Sequence, residues 1–388
     1  MNYKRVLIIG DANSFLLNDI VYNVNKKYVQ ISFDILNTNP KLQIIDKNLY
    51  SKIVSPGLLF DKFQRFVSSI NKYAAFFSMR YYMKYSLKSV SSNYDFVHIH
   101  FFNKNFLYIN PKHIQNITRN LVISFWGSDF YKRSSLQRQK MIPYLDFASE
   151  ILFGNPQMRD SLMGYYNNYF SKTRILPIGL EILSSIDNEI DKCNTKMELK
   201  KDLGFSDKTV ITIGYSSHPD QHQIEIIELI TKSIDSRELD RIHFVFPLTY
   251  GDQNYKEQIN YSAKKHGLSF TALTKPLSKD IIAKYRIASD IMVHLRDTDQ
   301  FSGSFQEYLY TGNVVITGNW LPYQFIIDKG IYLQSLGNID ELSTTLNYVL
   351  VNLNTESEKT IGNKRIIAEI SHWNVLVEKH FSVYYPET

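Results

Sequence analysis

The sequence predicts an α/β protein of two Rossmann-like domains, each built on a parallel sheet with helical crossovers. Three observations carry this. Short β-branched runs alternate with longer helical stretches along the chain. The runs fall into two sets, divided by a polar stretch without a strand signal. A length of 388 residues, 44% of them hydrophobic, supplies two cores of ordinary size.

The first set of strands is Val6–Ile9, Ile31–Leu36, Phe96–His100, Leu121–Phe125, Ile151–Phe153 and Arg174–Leu176. The second is Val210–Ile213, Ile242–Phe246, Ser269–Ala272, Ile291–His294, Val314–Thr317 and Ile331–Leu333. The expected bounds are 1–183 for the first domain, 184–208 for the linker and 209–371 for the second domain. Residues 372–388 are read, by fold analogy, as a helix returning to the first. Open parallel sheets bind ligands beyond the carboxyl ends of their strands. The two sheets are therefore expected to face one another across a ligand cleft.

Composition narrows the function. The single cysteine, Cys193, excludes an internal disulfide and fits a reducing compartment. MNYKRVLIIG reads as a first strand, not a signal peptide. No run of about 18 apolar residues marks a spanning helix. A net charge of +6 favours anionic partners. The strand–helix alternation contains no nucleic-acid module. There is no Cys/His metal cluster, P-loop, GxGxxG or GxSxG.

The densest signal is LRDTDQFSGSFQEYLYTGNVVITGNW, Leu295 to Trp320. A polar loop enters a helix and then a strand. Ser302, Gly303 and Ser304 open the helix, where free N–H groups can receive an anion. Glu307 lies about one turn further in, placed to accept from ribose or sugar hydroxyls. Asp299 is read as addressing the sugar. Arg296 follows a strand end, where a guanidinium can neutralise a leaving diphosphate. The bland alternative is a surface loop with ordinary charges.

A second loop, Gly214, Tyr215, Ser216, Ser217, His218 and onward to His222, opens the second domain. Its glycine and hydroxyls make a diphosphate cradle, with His218 or His222 adding charge when protonated. The alternative is a solvated strand–helix loop. In the first domain, FWGSDFY follows the strand Leu121–Phe125. Asp129 could orient or deprotonate an acceptor hydroxyl, or could instead cap the next helix. Trp126 could stack on a sugar. His100, at the end of its strand, is either a site residue or a satisfied core histidine.

Leu59–Val90 carries six cations, one acid and nine aromatics. Phe63, Phe66, Val67, Ile70, Tyr73, Ala74 and Phe77 recur at helical spacing. Such a helix docks on anionic lipid, or packs its aromatics into the domain core.

These residues together resemble the GT-B glycosyltransferases. Asp299-x7-Glu307 is similar to the Glu-x7-Glu signature of retaining members. It differs in having Asp first and FSG where the signature has Phe-Gly. The usual Arg and Lys after the first strand of the second domain are absent. YDFVHIH and SFWGSD resemble first-domain strands of that superfamily. A closer likeness is to the TDP-4-acetamido-4,6-dideoxygalactose transferase family. FWGSDFY, GYSSHPDQHQIE, VFPLTYGDQNY and LTKPLSKDIIAKYRIASDI carry it, across about half the chain.

The resemblance implies a cytoplasmic enzyme, peripheral on the inner face of the membrane. It would move a sugar from a nucleotide-diphosphate donor to a polyprenyl-diphosphate-linked saccharide in bacterial surface polysaccharide or O-antigen synthesis. It also implies that Tyr250 and Lys275 lie near the donor. No cofactor is expected beyond that donor substrate. The one Asp-x-Asp, Asp297-Thr298-Asp299, stands too late in the chain for a metal–nucleotide site of the other glycosyltransferase fold, so metal-independence is expected. Two alternatives remain: a nucleotide-sugar epimerase of the same fold, and a catalytically silent homologue that partners an active transferase.

Overall fold

The computed structural model describes residues 3–39, 48–55, 58–91, 93–192 and 195–386; Cys193 lies outside them. The chain divides into two compact units. Unit 1 is Met1–Gly179 with Trp373–Thr388, and unit 2 is Leu180–His372.

Unit 1 holds β1 (Lys4–Gly10), β2 (Ile31–Asn37), β3 (Lys52–Val54), β4 (Phe96–His100), β5 (Leu121–Phe125), β6 (Ala148–Phe153) and β7 (Thr173–Ile175). Their spatial order is β3-β2-β1-β4-β5-β6-β7, and every neighbouring pair is parallel. Unit 2 holds β8 (Thr209–Ile213), β9 (Ile242–Pro247), β10 (Phe270–Leu273), β11 (Ile291–His294), β12 (Val314–Gly318) and β13 (Gln334–Leu336). Its order is β10-β9-β8-β11-β12-β13, again all parallel.

Strand periodicity explains the layers. Successive side chains point to opposite faces, so one strand feeds two cores. In unit 1, Leu7 and Ile9 join Val97, Ile99, Leu121 and Ile123 on one face. Val6 and Ile8 join Val122 and Leu152 on the other. In unit 2, Ile211 and Ile213 pack with Ile291, Val293, Val314 and Ile316, while Val210, Met292 and Val315 serve the opposite face. Burial on both faces is why these strands read as continuous apolar runs.

Each sheet reverses its strand order once, between β1 and β4 and between β8 and β11. Loops leaving these strands diverge to opposite sides and open a crevice. In unit 2 those loops begin at Gly214 and Leu295.

Three details differ from the sequence expectations. Residues 184–208, read as a linker between the domains, fall within unit 2. Helices Glu181–Asp191 and Lys196–Asp202 fill most of the segment, and Ile182, Leu183, Ile186, Leu199 and Phe205 enter the unit 2 core. A capping box starts the second helix: Glu198 N donates to Thr195 Oγ at 3.2 Å and Thr195 N donates to Glu198 Oε2 at 2.7 Å. The last strand is Gln334–Leu336, three residues beyond Ile331–Leu333. Ile331 is instead buried in the core beside that strand, and Tyr332 N donates to Asn363 Oδ1. The short edge strand β3 had no clear sequence signal.

The final helix, Trp373–Phe381, belongs to unit 1, where Trp373, Leu376 and Val377 share a core with Val6 and Ile8. Gly179 lies under Trp373: a Cβ there would stand 2.5 Å from the indole.

Candidate functional site

The loop after β8 is built around a glycine. Gly214 has φ 65, and a Cβ on it would lie 2.6 Å from Gln221 Oε1 and 2.8 Å from Gln223 Nε2. The two amides use that space. Tyr215 N donates to Gln221 Oε1 (2.9 Å), Gln221 Nε2 to Ser216 Oγ (2.6 Å), and Gln223 Nε2 to the Ser216 carbonyl (2.6 Å). Ser217 donates from N (2.9 Å) and Oγ (3.0 Å) to the Tyr250 carbonyl. Ser216 and Ser217 are fully buried. This corrects the cradle reading: both hydroxyls turn inward and shape the loop instead of facing a diphosphate. His222 is also committed, with Nε2 2.8 Å from Asp297 and Nδ1 3.0 Å from Glu225. Two carboxylates cancel the charge it would bring. His218 is exposed, with its ring 6.2 Å from that of Tyr250.

The loop after β11 carries Arg296 and Asp299. The Arg296 Nε donates to Asp220 Oδ2 at 2.9 Å, and its Nη1 donates to the Tyr215 hydroxyl. Asp299 is buried. Its Oδ1 accepts from Tyr215 OH at 3.2 Å, and its Oδ2 accepts from Tyr323 OH and, at 2.8 Å, from Ser302 N. Burial pushes this carboxyl up, but His294, the Tyr323 hydroxyl and the Ser302 N–H hold it well below the usual range. Asp299 therefore does not reach a sugar in this arrangement. Its carboxylate pins the backbone at Ser302, directly before the helix. Phe301, at φ 66, makes the sharp turn between them, and its carbonyl accepts from Gln306 Nε2 at 2.8 Å.

The helix Gly303–Tyr310 then starts without a side-chain cap from Ser302. Its first N–H groups have no partner within the helix, and Gly303 adds no side chain over them. Glu307 stands in the next turn. Its Oε2 accepts from Arg286 Nε at 2.7 Å. Arg286 also donates from Nη1 to Tyr308 OH (2.6 Å) and from Nη2 to Ser304 Oγ (3.0 Å). Among the described residues no group donates to Glu307 Oε1, which lies 3.6 Å from where a Gly303 Cβ would stand. One oxygen is fixed by protein, and the other faces the open helix start.

The sequence pattern groups Arg296, Asp299, Ser302, Gly303, Ser304 and Glu307, places Tyr215 only in the separate β8 loop, and gives no role to Arg286 or Tyr323, which the structure joins to them. A signal for Arg286 existed: an arginine inside YRIASDI, where Ile287 and Ala288 are core residues. Tyr250 is half exposed beside the β8 loop, and Lys275 is exposed on the loop after β10.

In unit 1 the predicted residues sit at the end of β4 and after β5. Asp129 is fully buried; its oxygens accept from Phe102 N (2.8 Å) and Trp126 N (3.0 Å). Burial pushes its carboxyl up, against those backbone N–H bonds. Both oxygens serve to tie two loops together, which replaces the reading of Asp129 as a base. His98 is held by Tyr384 OH and Ser124 Oγ. The His100 ring lies 3.9 Å from that of His98, tilted by 32°, and is edge-on to Trp126. Both ring nitrogens of His100 and the Trp126 Nε1 are buried without partners. Burial, aided by His380, pushes the His100 imidazole down to about 3. It is therefore neutral near pH 7. It can offer one N–H and one lone pair to a ligand but is a poor proton acceptor.

Leu59–Val90 forms two helices, Leu58–Ile70 and Lys72–Ser89. Among the described residues of these helices, Met79, Met83 and Leu87 are the ones buried in the main core. Leu59, Phe63, Phe66 and Ile70 form an exposed stripe on the first helix, and Tyr73, Phe77, Tyr81 and Tyr85 form one on the second. Phe63, Phe66, Tyr73 and Phe77 thus face outward, while Phe60 and Tyr82 pack against the core. Lys62, Arg65, Lys84 and Lys88 are exposed beside them.

Among the described residues, no group of three or more His, Cys, Asp or Glu could hold a metal ion, and no helix is long and apolar enough to cross a membrane. No protein-family model matches the chain, and no curated protein matches it. Solved structures do. A glycosyltransferase from Rickettsia africae aligns at 14% identity over 99% of this chain and 98% of its own, with TM-score 0.73. A UDP-forming trehalose-phosphate synthase from Burkholderia xenovorans aligns at 10% identity over 99% of each chain, with TM-score 0.71. Anabaena HepE in complex with UDP-glucose aligns at 12% identity over 99% of this chain and 100% of its own, with TM-score 0.63. The likeness establishes the fold: this chain has the GT-B architecture, two Rossmann-like units with parallel sheets.

Proposed function

We propose that the protein is a glycosyltransferase that takes a hexosyl or deoxyaminohexosyl group from a nucleotide-diphosphate sugar, without a metal, and delivers it to a saccharide acceptor. The observation that carries this is the start of the helix Gly303–Tyr310. Uncapped N–H groups there meet a carboxylate with one oxygen held by Arg286 and the other open. An anion at the N–H groups and a polyol at Glu307 are what a nucleotide-diphosphate sugar offers. Solved GT-B relatives support the donor class, since HepE was crystallised with UDP-glucose. Arg296 compensates charge on the departing diphosphate; unit 1 receives the acceptor, with His100 and Trp126 offering buried, unpartnered polar atoms. The catalytic contribution is electrostatic and positional.

The exposed aromatic stripes with flanking cations suit an anionic lipid surface. They support a peripheral enzyme on the cytoplasmic face of the membrane, acting on a polyprenyl-diphosphate-linked saccharide. Bacterial surface polysaccharide, including O-antigen and lipopolysaccharide, is the corresponding product class. A second reading, a silent binding homologue, draws on the inward-turned Ser216 and Ser217 and the committed Asp129.

The test is a thermal-shift screen against UDP, GDP, dTDP and CMP and their sugar conjugates, with and without EDTA. Selective, EDTA-insensitive stabilisation by one nucleotide, followed by turnover with a lipid-linked acceptor, supports the proposal. Binding without turnover supports the silent reading, and no shift at all removes the donor assignment. Glu307→Gln is the variant to use. Glu307→Ala would leave Arg286 buried and unpaired, at a cost of about 3–5 kcal/mol, and so would confuse catalysis with folding.

A further inference from the structure

We infer that Arg286 is a positioning residue for the donor: it aims Glu307 at the pentose hydroxyls. The inference rests on the proposed donor site and extends it to the role of the residue that holds Glu307. Arg286 closes the helix Lys279–Ala288 and is buried. All three of its nitrogens reach one other helix, at Ser304, Glu307 and Tyr308. These positions, i, i+3 and i+4, form one face of that helix. The guanidinium carbon also stacks 4.4 Å from the centre of the Tyr308 ring. The planar fork therefore has a single setting.

The consequence falls on Glu307. A glutamate at a helix start ordinarily samples several rotamers. Here Nε holds Oε2, which fixes the plane of the carboxylate and leaves Oε1 as the one oxygen to receive ligand hydroxyls. Lysine could keep the charge but supplies a mobile point in place of a fork. Ser304 is held by the same fork, so the helix start and the carboxylate are set together.

The experiment measures dissociation constants of the full-length protein for the nucleoside diphosphate that binds best and for its 3′-deoxy counterpart. A hydroxyl donating to a fixed carboxylate gives a ratio of about tenfold or more in the wild type. Arg286→Lys is expected to bring that ratio to within about threefold of one, while the urea unfolding midpoint shows the protein still folded. Tyr308→Phe removes one anchor of the fork and serves as the milder second variant, with a smaller fall in the ratio. Full discrimination in both variants, with loss of it in Glu307→Gln, overturns the role of Arg286 and leaves the donor site standing. Full discrimination in Glu307→Gln, or none in the wild type, overturns the donor assignment itself.

Discussion

Replacing Asp299 with Asn tests whether this acid is a structural pin or a sugar contact. The side chain keeps its shape and loses its charge. In the wild type it accepts from Tyr215 OH, Tyr323 OH and Ser302 N, with Arg296 Nη1 at 3.7 Å. Hydrogen bonds to a charged group are each worth roughly 1 kcal/mol more than neutral ones. Three of them give a loss of about 3 kcal/mol at pH 7. With a denaturant slope of about 3 kcal/mol/M, the urea midpoint falls by about 1 M. The pH dependence follows from the depressed carboxyl. A group with a lowered folded pKa contributes stability above its unfolded value, near 3.9, and loses it as pH falls. The gap between wild type and variant should therefore be full at pH 7, begin to shrink below about pH 4, and close only as pH falls through the depressed folded value. Circular dichroism and tryptophan fluorescence in urea, at a series of pH values, measure this. Equal midpoints at pH 7, or a gap undiminished at low pH, would refute the pin.

Three further outcomes are expected. Gly214→Ala forces a Cβ against Gln221 and Gln223 at a left-handed residue, so it should cost about 1–3 kcal/mol in urea unfolding; a neutral result would mean that the loop is free to rearrange. Burial works to lower the His222 imidazole, but Asp297 and Glu225 outweigh it and hold the group above its ordinary value. Its contribution is then present below about pH 6.5 and lost as pH rises through the raised value. The midpoint gap between wild type and His222→Asn should shrink with rising pH, and a constant gap counts against the pairing. Changing Lys62, Arg65 and Lys72 together to Glu should abolish co-sedimentation with anionic vesicles while circular dichroism stays native. Unchanged sedimentation removes the membrane role.

The strands were legible because burial on both faces forces apolar, β-branched runs, and those runs need no partner to be recognised. Ile291–His294 and Val314–Thr317 illustrate this; β3 and β13 do not, since each is a short strand at the edge of its sheet and little of β3 is buried. The linker reading failed for a related reason. Ile182, Leu183 and Ile186 form a helical stripe too brief to stand out beside the charges around it. At the site, residue types were readable but assignments were not. Asp299 and Glu307 are both acids eight positions apart, and the sequence cannot say which one points outward. The partners decide that, and they come from elsewhere in the chain: Tyr215 from the loop after β8, Tyr323 from beyond β12, Arg286 from the helix before β11. Asp299 receives three protein donors and is used up. Glu307 receives one, on one oxygen, and has an acceptor to spare. The same arithmetic separates Asp129, with both oxygens taken, from His100, with both nitrogens open. In each unit the proposed ligand contact rests on hydrogen-bonding capacity that the protein leaves unspent, and that capacity depends on folding rather than on residue type.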